Sequence, residues 1–189
     1  VRAEKPFELS VGGHFSSRPV NTAYIGLSYR DIGKGALQVH AESYFGKFYG
    51  STKVMADYDM PTILPFRVTP YFVLNRWDYF RSSSTFFEDA KPSFLVQNEV
   101  YYGAKIGMPV TNNGVFEANF RKFENEDQYY QTLNFSSSDT ADVTGFNGES
   151  AILSIKRNTL NRKQWASEGS YFNLSFRYVQ GKEQSLSGN

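Results

Sequence analysis

The stretch Ala36-Leu-Gln-Val-His-Ala-Glu-Ser-Tyr-Phe-Gly46 decides the fold. Leu37, Val39, Ala41, Ser43 and Phe45 fall on one side of an extended chain, and Gln38, His40, Glu42 and Tyr44 on the other. A period of two belongs to a β-strand, whose successive side chains point to opposite faces. One face is apolar and the other polar, so this strand has a dry neighbour on one side and a wet one on the other.

The pattern repeats in both directions. Upstream, Ala23, Ile25, Leu27 and Tyr29 alternate with Tyr24, Gly26, Ser28 and Arg30, and Asp31-Ile-Gly-Lys-Gly35 is a short glycine-bearing link. Downstream, Phe94, Val96, Val100, Tyr102, Ala104 and Ile106 share a face interrupted by Asn98, opposite Gln97, Glu99, Tyr101 and Lys105. Phe172, Leu174, Phe176 and Tyr178 alternate with Asn173, Ser175 and Arg177. Weaker alternation predicts strands over 7–15, 49–59, 66–77, 115–123, 128–135 and 151–157. Gly46-Lys-Phe-Tyr-Gly50 and Asn112-Asn113-Gly114 read as tight hairpin turns, the second because two residues at positive φ favour Asn and Gly. Residues 81–92, 136–148 and 158–169 are polar and read as loops. The expectation is one all-β domain over residues 1–189, an antiparallel amphipathic meander of about nine strands.

Composition narrows the setting. Aromatic residues make up 17% of the chain, with 17 Phe and 13 Tyr, yet mean hydropathy is −0.47. Many aromatics at low hydropathy suit strands with one apolar face, as in a membrane barrel with aromatic girdles. Several runs reach the roughly 9–11 residues that a tilted strand needs to cross a bilayer. A soluble barrel or sandwich binding an apolar ligand or a protein partner shares the alternation, with its apolar face turned inward. No run approaches the roughly 18 apolar residues of a membrane-spanning helix. The formal charge of +1 gives no reason to expect nucleic acid as a partner.

Sites of chemistry are sparse. Without cysteine there is no disulfide, thiol nucleophile or thiolate metal site, and the histidines are only His14 and His40. Nucleophile-elbow, phosphate-loop and dinucleotide motifs are absent. His40 sits on a polar strand face and reads as a solvated or lumen-facing side chain. Asp57 and Asp59 share a strand face, which would suit paired carboxylates or calcium, but with no third ligand at a recognisable spacing they read as a solvated strand end before Pro61. Glu124-Asn-Glu-Asp127 reads as a solvated loop. Tyr44, Phe45, Phe48 and Tyr49 could stack bases or sugars but read first as an interfacial girdle, since they sit at strand ends, and Trp77, Tyr79 and Phe80 admit the same two readings. The expectation is therefore no catalytic residue, no metal site and no cofactor.

The opening block Leu9-Ser-Val-Gly-Gly-His-Phe-Ser-Ser-Arg18, then Asn21-Thr-Ala-Tyr-Ile-Gly-Leu-Ser-Tyr29 and Gly33-Lys-Gly35, resembles the first barrel strands of the bacterial surface antigen, or outer-membrane assembly-factor, superfamily. The run 51–61, ending Asp57-Tyr-Asp-Met-Pro61, looks like that group's next strand. Leu153-Ser-Ile-Lys-Arg-Asn-Thr-Leu-Asn161, Gly169-Ser-Tyr-Phe-Asn-Leu-Ser-Phe-Arg-Tyr178 and Gly181-Lys-Glu183 resemble a later strand pair. Ser16-Ser-Arg-Pro-Val-Asn21 and Tyr44-Phe-Gly-Lys-Phe-Tyr-Gly50 look most like the C-terminal barrel of Bacteroidetes-type patatin-like phospholipases.

That resemblance implies a fragment of a larger outer-membrane barrel in a Gram-negative bacterium, in contact with membrane lipid. It implies a lipid-hydrolase passenger domain N-terminal to Val1, anchored or exported by the barrel. The patatin motifs Gly-x-Ser-x-Gly and Asp-Gly are missing, as is the Arg-Gly-Phe loop of the assembly factors, so the chain departs from both patterns. Unpaired strand edges of such a fragment would favour self-association.

Overall fold

The computed structural model describes residues 6–15, 21–78, 94–130, 140–162, 165 and 167–187. They form one nine-stranded sheet in which every strand pairs antiparallel with its chain neighbours, in the order β1 to β9. The strands are β1 (Phe7–His14), β2 (Thr22–Ile32), β3 (Ala36–Gly46), β4 (Tyr49–Met60), β5 (Phe66–Asp78), β6 (Phe94–Thr111), β7 (Gly114–Tyr129), β8 (Asp142–Asn158) and β9 (Tyr171–Leu186). The sheet is not closed: β1 and β9 each have one paired neighbour and one free edge.

The deciding stretch is β3 to the residue. Its register follows from its turns. Gly33-Lys-Gly35 sets Arg30 opposite Gln38, Ser28 opposite His40 and Tyr24 opposite Tyr44. Asn112-Asn113 closes β6 onto β7, with Thr111 opposite Gly114. These links lie at one end of the sheet, the turn end, with residues 61–65 and the longer connection 159–170. The short turn 47–48 and the connections 79–93 and 130–141 lie at the opposite, loop end, and 79–93 and 131–139 lie outside the described residues, as do Tyr79 and Phe80. The loop predicted over 81–92 lies there too.

Three expectations need correction. The strand predicted over 128–135 is no separate element, because Gln128 and Tyr129 end β7 and residues 131–135 lie outside the described residues. Part of the loop predicted over 136–148 is strand, since β8 begins at Asp142. These errors have one cause. In 122–128 and 143–149 the face that elsewhere is apolar turns mostly polar, so the period-two hydrophobic signal fades while backbone pairing continues from Phe123↔Gly148 to Tyr129↔Asp142. Glu124-Asn-Glu-Asp127 is likewise strand rather than loop.

Side-chain exposure differs between the faces in an unusual sense. Thr69, Val73, Phe123, Ser150 and Ser154 are buried, and all lie on the face that carries the polar residues. On the apolar face of interior strands, Phe72, Leu74 and Phe120 are 40%, 41% and 55% exposed. The sheet thus crowds its polar face, as a wall curled around it would. Tyr71 Oη donates to Asn119 Oδ1 at 2.7 Å, reaching from β5 over β6 to β7. The residue beneath is Gly103, paired with both Tyr71 and Arg121. A Cβ on Gly103 would collide with the Phe120 carbonyl and lie 2.9 Å from the Arg121 Cα, so only glycine permits this close approach.

Candidate functional site: the two faces of the sheet

The apolar face is a belt rather than a whole surface. On β7 it reads Phe116, Ala118, Phe120 and then Lys122, Glu124, Glu126 and Gln128. On β9 it reads Phe172, Leu174, Phe176, Tyr178 and then Gln180, Lys182 and Gln184. The change occurs at matched register, since Phe120 stands opposite Ala151 and Ala151 opposite Tyr178, while Lys122 stands opposite Glu149 and Glu149 opposite Gln180. Just beyond the belt, Lys122 Nζ and Glu149 Oε1 form an exposed ion pair at 3.1 Å.

Aromatic rings border this belt. Phe66, Phe116 and Phe172 lie near the turn end, and Tyr102 and Tyr178 near the loop end, with Val68, Ile106, Leu153 and Leu174 between. From Phe66 to Leu74 the belt runs about 27 Å along its strand. A strand tilt of about 40° would leave about 20 Å, near the height of the apolar band around outer-membrane barrels.

The polar face is a continuous network. Thr69 Oγ1 donates to Asp57 Oδ1 at 2.5 Å, and Arg67 grips Asp59 through Nε and Nη2 at 2.7 and 2.8 Å. The two carboxylates predicted to share a face do so, but each is committed to its own partner on β5. Among the described residues no group of three or more His, Asp or Glu is placed to hold a metal ion. Beside them, Lys156 Nζ donates to Glu117, whose other oxygen lies 3.8 Å from Lys105 Nζ. A hollow of about 680 Å³ opens here, between the turns around Lys34, Pro61 and Pro109. Arg121 Nε donates to Ser150 Oγ at 2.9 Å, and its guanidinium lies 5.5 Å from the Tyr101 ring centre.

Glu117 stands between two ammonium groups, so its loss leaves like charges facing one another. Glu117→Gln is expected to cost about 1.5 kcal/mol, the usual size for a hydrogen bond to a charged group. A double-mutant cycle with Lys156→Met, read by denaturant unfolding, checks this; additive effects would remove the coupling.

His40 faces the same side as Ser28 and Glu42. Ser28 Oγ lies 2.8 Å from His40 Nδ1, and His40 Nε2 lies 3.4 Å from Glu42 Oε2, with Lys53 Nζ 3.6 Å from the other Glu42 oxygen. With the ring proton on Nε2, Ser28 donates to Nδ1, giving a Ser–His–Glu chain. Acyl chemistry also needs backbone N–H groups aimed at a developing oxyanion. Around Ser28 the backbone is paired on both sides, with Glu8 on β1 and His40 on β3. The sequence reading missed Ser28 and Glu42 as partners of His40, although the Gly33-Lys-Gly35 turn fixes that register.

The first aromatic cluster splits between the faces. Phe45 lies on the apolar face opposite Ala23, whereas Tyr44 lies on the polar face opposite Tyr24 and Ser51. Tyr49 and Trp77 stand opposite each other on the polar face as well. Phe45 therefore stands on the apolar face, and Tyr44, Tyr49 and Trp77 stand on the polar one. His14 lies near the end of β1 at the loop end, opposite Thr22. Comparison with protein-family models, curated proteins and solved structures gave no match.

Proposed function

We propose that this chain is a non-catalytic stretch of outer-membrane barrel wall, its apolar belt against lipid and its polar face toward an aqueous lumen. The observation that carries this reading is the belt itself: an exposed apolar band of limited height, bordered by rings, with charged groups beyond it. A soluble barrel would turn that face inward and its polar network outward. Pairing every strand in an antiparallel ladder is also what lipid demands, because an unpaired backbone group there costs several kcal/mol.

In this reading the turn end faces the periplasm and the loop end the exterior. Phe7 begins β1 at the turn end, since it stands opposite Tyr29 and the Arg30 N–H donates to the Pro6 carbonyl. A passenger domain preceding β1 would therefore emerge on the periplasmic side, and the patatin-like resemblance makes a lipid hydrolase the passenger proposed. The free edges of β1 and β9 are where the remaining wall, or another copy, would pair.

The test is folding with and without detergent, followed by far-UV circular dichroism, light scattering after size exclusion and heat-dependent gel migration. The expected result is a discrete β-rich particle that needs micelles. A compact β protein in plain buffer that takes up no detergent would overturn the proposal and favour a soluble ligand-binding barrel.

A further inference from the structure

The rings of Tyr24, Tyr44, Tyr49 and Trp77 form a row across β2 to β5, with centres 4.8, 6.4 and 4.2 Å apart, and Phe48 meets Trp77 edge-on at 5.5 Å. The row lies on the polar face, where lipid does not reach in the wall reading, so an interfacial girdle does not account for it. Tyr44 remains 37% exposed.

A hydrogen-bonding row runs alongside. Tyr44, Ser51, Asn75 and Glu99 stand opposite one another in successive strands. Ser51 Oγ donates to Asn75 Oδ1 at 2.7 Å, and Asn75 Nδ2 donates to Glu99 Oε2 at 3.2 Å. Ligand sites combine such apolar ring surface with a few placed polar groups. A pyranose presents the complement, with C–H bonds on its faces and hydroxyls around its rim.

We propose that this strip binds a neutral, linear oligosaccharide, whose sugar rings stack on the aromatic row while their hydroxyls meet the Ser51–Asn75–Glu99 row. The charge pattern selects against acidic saccharides, because Glu42 and Glu99 flank the rings and Lys53 lies beside Glu42 at 3.6 Å. A row of rings also suits a chain of sugars better than a single one. The proposal rests on the polar face being open to water, as in the wall reading.

The test uses the two tryptophans of the chain, Trp77 and Trp165, the second 94% exposed. In a Trp165→Phe background, Trp77 is the only indole. The full chain, folded in detergent, is titrated separately with maltoheptaose and cellohexaose. A saturable change in Trp77 emission with at least one probe is expected, weakened at least tenfold by Tyr49→Ala and retained by Tyr49→Phe, which keeps the ring. Tyr44→Ala, at the more exposed ring, replaces Tyr49→Ala if that variant does not fold. No saturable change with either sugar, or a change that the alanine variants leave intact, would overturn the site. Acrylamide quenching without sugar separates the two failures. A quenchable but unresponsive Trp77 refutes the site alone, and a fully shielded Trp77 refutes the open wall with it.

Discussion

Replacing Phe176 with arginine is expected to cost the folded protein about 2–4 kcal/mol in a bilayer, and next to nothing if the sheet lives in water. Phe176 sits inside the apolar belt opposite Leu153 and is 66% exposed, so little protein packing is lost by changing it. The penalty would come from placing a guanidinium where the hydrocarbon is. Gln180 lies on the same strand and the same face, just beyond Tyr178. Gln180→Arg should cost only about 0–1 kcal/mol, because charge is tolerated near the interface. The pair of variants, unfolded by denaturant from lipid vesicles, measures the belt's edge directly. Equal costs at the two positions would remove lipid as the neighbour of this face.

Gly148→Val is expected to destabilise the sheet by about 3 kcal/mol, at the upper end of overpacking penalties. A Cβ there would collide with the Gln180 carbonyl and lie 2.8 Å from both the Gly181 Cα and the Phe123 Cζ. Gly148 and Gly181 stand directly opposite each other, and Phe123 of β7 covers the gap they leave. The new side chain must either lift that ring or push β9 away, and β9 has no further neighbour to hold it. Gly107→Ala is the control, since its Cβ would meet only the Glu117 Cγ, at 4.0 Å. That change should stay within about 0.5 kcal/mol. Urea midpoints for the two variants decide the matter, and equal midpoints would show that the close β8–β9 approach carries no weight.

The strands most legible in the sequence are those whose two faces differ most. β3 matches its expected bounds, β1, β4 and β5 fall within a residue of theirs and β2 extends by one or two residues at each end, whereas β9 runs eight residues past its expected end, because its apolar face turns polar at Gln180. β7 and β8 were half visible. Phe116, Ala118 and Phe120 announce the lower part of β7, but Lys122, Glu124 and Glu126 on the same face erase the contrast that a period-two reading needs. The candidate site was less legible than the fold. Tyr44 and Phe45 are adjacent in sequence and chemically alike, and only their register against β2 and β4 sends them to opposite sides. The partners of His40, likewise, sit on another strand and two residues along its own, where neither makes a recognisable motif.

Antiparallel order imposes an alternation of direction, and nine is an odd number. β1 and β9 consequently point the same way, from the turn end to the loop end. A strand laid on both free edges at once would be antiparallel to each, so one extra strand, or any odd number, closes the wall with its ladder pattern unbroken. An even addition, or direct pairing of β1 with β9, would force one parallel seam. Two copies standing upright in the same membrane would meet with β9 beside β1 at both joints, and both seams would be parallel. The parity of the meander therefore favours a completing segment over a duplicate as the partner for these edges.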